Sequence, residues 1–112
     1  MKRLFAVPSS NGLLDEHFGH CGQFALLATD EDKVISEILI DAPPHKPGLL
    51  PGFLADRGVT DVIAGGMGQR AIQLFNQHRV NVFVGAPKQT PKELTEGFLT
   101  HTLEFSANYC DH

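Results

Sequence analysis

Several features that mark other protein classes are missing from this sequence of 112 residues. No apolar run approaches the ~18 residues of a membrane helix. Only four apolar residues follow Lys2 and Arg3, whereas a secretory signal needs about 7–15, so we expect a cytoplasmic protein. Two cysteines are too few for a four-thiolate iron–sulfur site in one chain, and we expect both to be reduced thiols. Nine basic residues against 13 acidic ones exclude a strongly basic nucleic-acid-binding protein.

The composition that remains predicts one globular domain over residues 1–112. Hydrophobic residues make up 42% and charged residues 20% of the chain, which is typical of globular proteins and not of disordered ones. A chain of this length buries roughly two-thirds of the surface that its unfolded form exposes. Six histidines stand beside nine Lys and Arg residues, so histidine forms an unusually large share of the titratable groups.

Hydrophobic patterning predicts an α/β fold with five strands and three helices. Strands are predicted at residues 2–7, 23–29, 33–40, 60–64 and 80–84, and helices at 49–57, 69–78 and 91–99. Pro8 is expected to end the first strand, Gly58 to end the first helix, and a Thr90/Glu93 capping box to start the third. Short loops join the first three strands and helices precede the last two. We therefore expect a mixed five-stranded sheet of order 3-2-1-4-5, with strand 2 antiparallel and helices on both faces, as in ribonuclease-H-like folds.

This topology predicts where a ligand would bind. Strands 1, 3, 4 and 5 run in the same direction, so the loops that follow them share one edge of the sheet. The loops in question are 8–22, 41–48, 65–68 and 85–90. The chain leaves strands 1 and 4 toward opposite sides, and such switch points are where open α/β sheets usually bind ligands.

Two of these loops carry soft metal ligands. His17, His20 and Cys21 lie within five positions, and imidazole and thiolate suit zinc, copper and metal–sulfur clusters. The alternative is a loop anchored by Phe18 with incidental histidines. His45 precedes the first helix and is a candidate for binding an anion or a metal, or is merely exposed.

The C-terminal residues Cys110 and His112 form a further candidate metal pair, set against the alternative of a mobile tail. We expect Cys21 to be the thiol near the ligand and Cys110 to be dispensable.

A glycine-rich loop offers a candidate anion site. Gly65, Gly66, Met67 and Gly68 follow a strand and open a helix, so their backbone N–H groups can face an anion at the helix N-terminus. Arg70 adds a positive charge in the first turn. The alternative is a tight turn that lets the helix pack on the strand, since the pattern matches neither GxGxxG nor a P-loop.

Enzymatic function is not indicated. A ribonuclease-H-type nuclease needs clustered carboxylates on its central strands, and residues 2–7 contain none. Cys21 and a histidine are a conceivable nucleophilic pair, but no acyl-transfer signature accompanies them.

Three motifs in order resemble the dinitrogenase iron–molybdenum cofactor biosynthesis family, the NifX-like group that also forms the C-terminal domain of NifB-type proteins. The motifs are His17-Phe18-Gly19-His20-Cys21, His45-x-Pro47-Gly48-Leu49-Leu50-Pro51, and Gly58-Val59-x-x-Val62-Ile63-Ala64-Gly65-Gly66-Met67-Gly68-x-Arg70-Ala71. The resemblance covers about the whole chain. One departure is Arg79, which stands where the family usually has glycine.

The resemblance implies a ribonuclease-H-like fold and a non-catalytic cytoplasmic carrier of iron–molybdenum cofactor or its precursor. The family includes the orange protein, which carries a molybdenum–copper sulfide cluster, so such a cluster is an equal candidate. Proteins that donate or receive the cluster would be its partners, with no role for nucleic acid or membrane. Two other functions stay open: a regulatory module that binds a nucleotide or small anion at residues 65–68, and a scaffold with a zinc ion held by His17, Cys21, Cys110 and His112.

Overall fold

A computed structural model describes residues 2–44 and 48–108. In these residues the chain forms three α-helices and seven β-strands. The strands are β1 Lys2–Ser10, β2 Leu13–Leu14, β3 Gln23–Asp30, β4 Lys33–Asp41, β5 Asp61–Ile63, β6 Asn81–Val84 and β7 Ser106–Asn108. The helices are α1 Leu49–Asp56, α2 Gln69–Gln77 and α3 Pro91–Leu99. None of these helices is long and apolar enough to cross a membrane.

The strands form one mixed sheet in the order β4-β3-β1-β5-β6-β7, with β2 paired to β1. β1 pairs antiparallel with β3 and parallel with β5, and β5 pairs parallel with β6. The prediction of a five-stranded sheet is wrong in its number of strands. The short strands β2 and β7 add to it, because the chain folds back after β1 and again after α3.

The first strand does not end at Pro8, as the sequence predicts, but continues to Ser10. Proline is tolerated here because its backbone faces away from β3: the carbonyl of Pro8 accepts a hydrogen bond from the Asp15 N–H at 2.9 Å. The parallel partner β5 pairs with β1 only at Phe5 and Ala6, so no ladder hydrogen bond is lost.

Each face of the sheet has its own apolar core. Successive side chains of a strand point to opposite faces, so Ala6 joins the core under α1 and α2, while Phe5 joins the core under α3. Phe18 anchors the first core from the loop before β3, with its ring centroid 5.6 Å from that of Phe24 and 5.6 Å from that of Phe75. The predicted placement of helices on both faces is confirmed.

The predicted helix ends are confirmed. The Thr90 hydroxyl accepts a hydrogen bond from the Glu93 N–H at 3.1 Å, and the Glu93 carboxylate accepts one from the Thr90 N–H at 3.1 Å. Gly58 ends α1 in the left-handed conformation with φ +85°. Arg79 ends α2 in the same way with φ 63°, so this turn is kept although glycine is absent.

The end of α3 is shaped by Gly97. A Cβ atom at this buried position would lie 2.5 Å from Leu103 Cδ1 and 2.7 Å from Leu103 Cγ. The Gly97 carbonyl accepts hydrogen bonds from the N–H groups of Thr102 (3.0 Å) and Leu103 (3.2 Å). The chain therefore folds back tightly over α3 and reaches β7 on the far side of β6.

The edge at which β1 and β5 begin is closed by an ionic network around Asp61. This carboxylate is fully buried and accepts hydrogen bonds from Arg3 at 2.6 and 3.0 Å. Thr60 and Asn81 donate to it at 2.6 and 3.1 Å. The Arg3 guanidinium also lies 5.0 Å from the ring centroid of Phe98. With its charge balanced and its oxygens occupied, Asp61 serves the fold and not a ligand.

Candidate functional site

The loops after β1, β5 and β6 meet at the opposite edge of the sheet. A Cβ atom at Gly65 would lie 3.6 Å from Leu14 Cδ2 and 4.0 Å from Glu16 Cα. The Gly85 N–H donates to the Gly65 carbonyl at 3.0 Å. The predicted meeting of these loops at one edge is therefore confirmed, since the segment that leads into His17 touches the start of the glycine loop.

A cavity of about 300 Å³ opens beside this meeting point. Four segments form its wall: the loop before β3, the loop after β4, the start of α1 and the first turns of α2. The lining residues are Phe18, Gly19, Cys21, Ala42, Pro43, Pro44, Gly48, Leu50, Pro51, Ala71 and Leu74. The wall is thus almost entirely apolar. It includes residues of the predicted ligand loops 8–22 and 41–48, and of α2, the helix that follows the predicted ligand loop 65–68.

The three predicted metal ligands of the first loop differ in exposure. Residues 18–20 form a 3₁₀ turn, in which the His20 N–H donates to the His17 carbonyl at 2.9 Å. His17 and His20 are exposed, whereas Cys21 is only 3% exposed. Across residues 2–44 and 48–108, no three His, Cys, Asp or Glu side chains converge to hold a metal ion. Joint ligation by His17, His20 and Cys21 stays a prediction that requires these side chains to rearrange.

The Cys21 thiol is held in its protonated form. Burial raises its pKa to about 11, and the negative charge of Asp15 acts in the same direction. Its Sγ lies 3.4 Å from the Phe18 carbonyl, to which it can donate a weak hydrogen bond. The protonated Cys21 side chain faces the cavity as a small apolar group.

The glycine loop leaves its backbone uncovered. Neither Gly66 nor Gly68 has a positive φ, and a Cβ atom at either position would have no neighbour within 4 Å. Neither backbone conformation nor packing within the described chain therefore requires glycine here. What glycine provides at both positions is access to the main chain, which a ligand can use.

The glycine loop leads directly into α2, which has no side-chain cap at its N-terminus. The first intrahelical bond runs from the Ile72 N–H to the Gly68 carbonyl at 3.1 Å. The preceding N–H groups add the positive end of the helix dipole to this edge. Arg70 is exposed in the first turn and forms no ion pair with any carboxylate in the described ranges.

Comparison with known proteins identifies the family. Residues 1–101 match the family described as "Dinitrogenase iron-molybdenum cofactor". The chain belongs to the dinitrogenase iron–molybdenum cofactor family. No curated protein matches it.

Solved structures share the fold of this family member. One is PH0822, with a TM-score of 0.80, 24% identity and 95% of each chain covered. Another is the apo form of the orange protein from Desulfovibrio gigas, with a TM-score of 0.78, 19% identity, and 95% of this chain and 96% of that one covered. At these identities the likeness concerns the fold alone.

Three predicted ligands of this family member, His45, Cys110 and His112, lie outside the described residues. β7 runs antiparallel to β6, with Ser106 opposite Val84 and Asn108 opposite Val82. Over residues 106–108 the chain therefore runs away from the cavity edge, and the expectation that Cys21 and not Cys110 is the thiol near the ligand stays a prediction.

Sequence reasoning missed the apolar wall of the cavity. Pro43 and Pro44 mark only a loop in the sequence, and Leu50 and Leu74 look like ordinary helix residues that face the core. The available signal is the clustering of three prolines in residues 41–48, because such clusters disfavour regular secondary structure and mark a loop.

Proposed function

We propose that this protein binds and carries an anionic metal–sulfur cluster at the edge where β1 and β5 end. The cluster would be iron–molybdenum cofactor, a precursor of it, or a molybdenum–copper sulfide cluster. The supporting observation is the glycine loop: Gly66 and Gly68 expose backbone that the fold itself does not require to be bare. Family membership supports a role in cofactor binding or biosynthesis.

The charges at the edge suit reversible binding of an anion. The N-terminus of α2 and Arg70 supply positive potential, and the backbone of the glycine loop supplies hydrogen-bond donors. Asp15 and Glu16 lie at the same edge and oppose the anion. A site with this mixed charge is expected to hold its cargo without holding it irreversibly, as delivery to another protein demands.

The cavity supplies the apolar half of the site. Metal-bound sulfides are soft and polarizable, and they accept contact with CH groups such as those of Phe18, Pro43, Leu50 and Leu74. Because a carried cluster has to be released, we expect non-covalent binding in place of a permanent thiolate bond. The exposed His17 and His20 are proposed to approach the cluster from outside the cavity, and His45 stays a proposed ligand.

In this proposal the protein is not an enzyme. It takes its cluster from a donor protein and passes it to an acceptor protein, all within the cytoplasm. We further propose that the sheet belongs to the ribonuclease-H-like type, with the carrier site at its switch point.

Purification without oxygen, followed by metal analysis and a visible absorption spectrum, tests the proposal directly. Charge-transfer bands in the visible range together with bound molybdenum support it. A colourless protein with stoichiometric zinc contradicts it and favours the zinc scaffold. A metal-free protein that ignores clusters but binds a nucleotide contradicts it and favours the regulatory module.

Substitutions then locate the site. Titration of the apo protein with a molybdenum–copper sulfide cluster should show that Gly66→Ala and Arg70→Glu each weaken binding by about 10-fold, equivalent to ~1.4 kcal/mol. Arg79→Glu is the matched control, because it makes the same charge change on an exposed residue just beyond the other end of α2. If Arg79→Glu weakened cluster binding as much as Arg70→Glu does, the effect of Arg70→Glu would be due to net charge. The proposed site at the glycine loop would then lose that support.

A further inference from the structure

Residues 15–17 carry the chain across the edge of the sheet, next to the glycine loop. Leu14 is buried in the core under α3, and Phe18 is buried in the core under α1 and α2. The chain therefore passes from one face of the sheet to the other between these two anchors. The Asp15 N–H donates to the Pro8 carbonyl at 2.9 Å, which ties the start of the crossing to β1. The backbone of this crossing is thus held at the edge.

The crossing places Glu16 beside the glycine loop. The Glu16 Cα atom lies 4.0 Å from the position that a Cβ atom of Gly65 would take. The Gly66 N–H belongs to the peptide bond that follows Gly65, and two methylene groups separate a glutamate carboxylate from its own Cα atom. Rotation about the side-chain bonds can therefore bring the Glu16 carboxylate to the Gly66 N–H.

The glycine loop has hydrogen-bond donors that the fold does not use. The N–H groups of Gly66, Met67 and Gly68 donate to no acceptor within residues 2–44 and 48–108. They precede the N-terminus of α2, which has no side-chain cap, so a carboxylate placed here gains charge-assisted hydrogen bonds and the favourable end of the helix dipole. A carboxylate of the chain and an anionic cluster are therefore ligands of the same kind for these donors.

Glu16 differs from its neighbour Asp15 in the freedom of its carboxylate. Asp15 Oδ1 accepts a hydrogen bond from the His17 N–H at 2.8 Å, so this carboxylate closes a local turn. Glu16 is exposed, and within the described part of the chain neither an ion pair nor a side-chain hydrogen bond holds it. Of these two carboxylates, only that of Glu16 is free to turn onto the glycine loop.

We propose that Glu16 is a tethered competitor of the cluster for the glycine loop, an inference that rests on the proposed function. Without cargo, the carboxylate alternates between solvent and the Gly66 N–H, and an arriving cluster displaces it. A short tether gives an effective concentration in the mM range, so the contact forms without being permanent. When the cluster leaves, Glu16 takes over the freed donor and stabilises the empty protein, which favours delivery.

Hydrogen exchange and the NMR shift of the Gly66 amide in the cluster-free protein test the contact. If the carboxylate covers this N–H for two-thirds of the time, Glu16→Ala should speed its exchange about 3-fold and move its proton signal upfield. Asp15→Asn is the matched control, because it removes the same charge from the adjacent residue and keeps an oxygen for the His17 N–H. An unchanged Gly66 amide in Glu16→Ala, or an equal change in Asp15→Asn, overturns the proposal.

Titration with a molybdenum–copper sulfide cluster tests the competition. Glu16→Ala should bind this probe about 3-fold more tightly than the wild type, because the loop is no longer covered for part of the time. Glu31→Ala removes a carboxylate from the turn between β3 and β4 at the opposite edge and should bind like the wild type. If the wild type binds the cluster and Glu16→Ala binds it no more tightly, the competition is refuted and the proposed function stands. If neither protein binds the cluster, the proposed function fails and the competition fails with it, even where the amide measurement shows the contact.

Discussion

The buried Cys21 thiol is protonated in the folded state, and this protein should therefore lose stability in alkaline solution, where the thiol is deprotonated. The pKa is raised from 9.0 to about 11 by burial and by Asp15. The folded state therefore holds a proton that the unfolded state releases between these pH values. The stabilisation is complete below pH 9 and disappears as the pH rises toward 11. Two pKa units correspond to ~2.7 kcal/mol, of which ~2 kcal/mol should be lost by pH 10.5.

The assay compares urea unfolding at pH 8 and pH 10.5 for the wild type and Cys21→Ala, both with Cys110→Ser. Other groups titrate in this range too, so the quantity of interest is the difference between the two pH dependences. We expect the wild type to lose ~2 kcal/mol more than the alanine variant. Equal losses would refute the assignment of a protonated, buried thiol.

The same thiol distinguishes two modes of cluster binding. If Cys21 ligates the cluster as thiolate, binding releases its proton, and affinity should rise about 10-fold per pH unit between pH 7 and 9. If the cluster is held without a thiolate bond, as we propose, Cys21→Ala should leave the pH dependence of affinity unchanged. Titrations of wild type and variant at these pH values separate the modes.

Three further predictions concern stability in urea unfolding. Gly97→Ala should destabilise the fold by ~1–3 kcal/mol through overpacking against Leu103, and in a Leu103→Ala background it should instead be neutral or stabilising; destabilisation in both backgrounds would contradict the packing argument. Arg79→Gly should stabilise by ~1 kcal/mol, because the left-handed conformation is unfavourable for a residue with a Cβ atom, and no gain would show that the turn relaxes. Thr90→Ala should cost ~1 kcal/mol by removing the cap of α3, and an unchanged midpoint would mean that the capping box contributes nothing.

Local signals in the sequence predict most helices and strands, while long-range pairing decides the others. Thr90 and Glu93 are three residues apart, and their capping box depends only on that spacing. β7 has no such signal: Ser106 and Ala107 are exposed and show no apolar alternation. This strand exists because the fold-back over Gly97 delivers it to β6, which no local pattern encodes.

The candidate site, too, is predictable from the sequence only in part. Strand directions suffice to predict that the loops around His17 and Gly65 share an edge. The exposure of the ligands follows from the 3₁₀ turn, in which residues three apart eclipse each other. Since Phe18 is buried, Cys21 is buried with it and His20 is turned outward. A prediction that groups these residues by type and spacing alone cannot anticipate that separation.

The parallel seam between β1 and β5 also sets an order of events during folding. Strands β1, β3 and β4 are joined by short connections, whereas the hydrogen bond from the Leu4 N–H to the Thr60 hydroxyl spans 56 residues. Closing so long a loop carries an entropic cost that local pairing does not, and folds rich in distant contacts form more slowly. We therefore expect the three-stranded meander to form early and the seam to close late. Because the candidate site lies across that seam, we expect the site to be complete only at the end of folding.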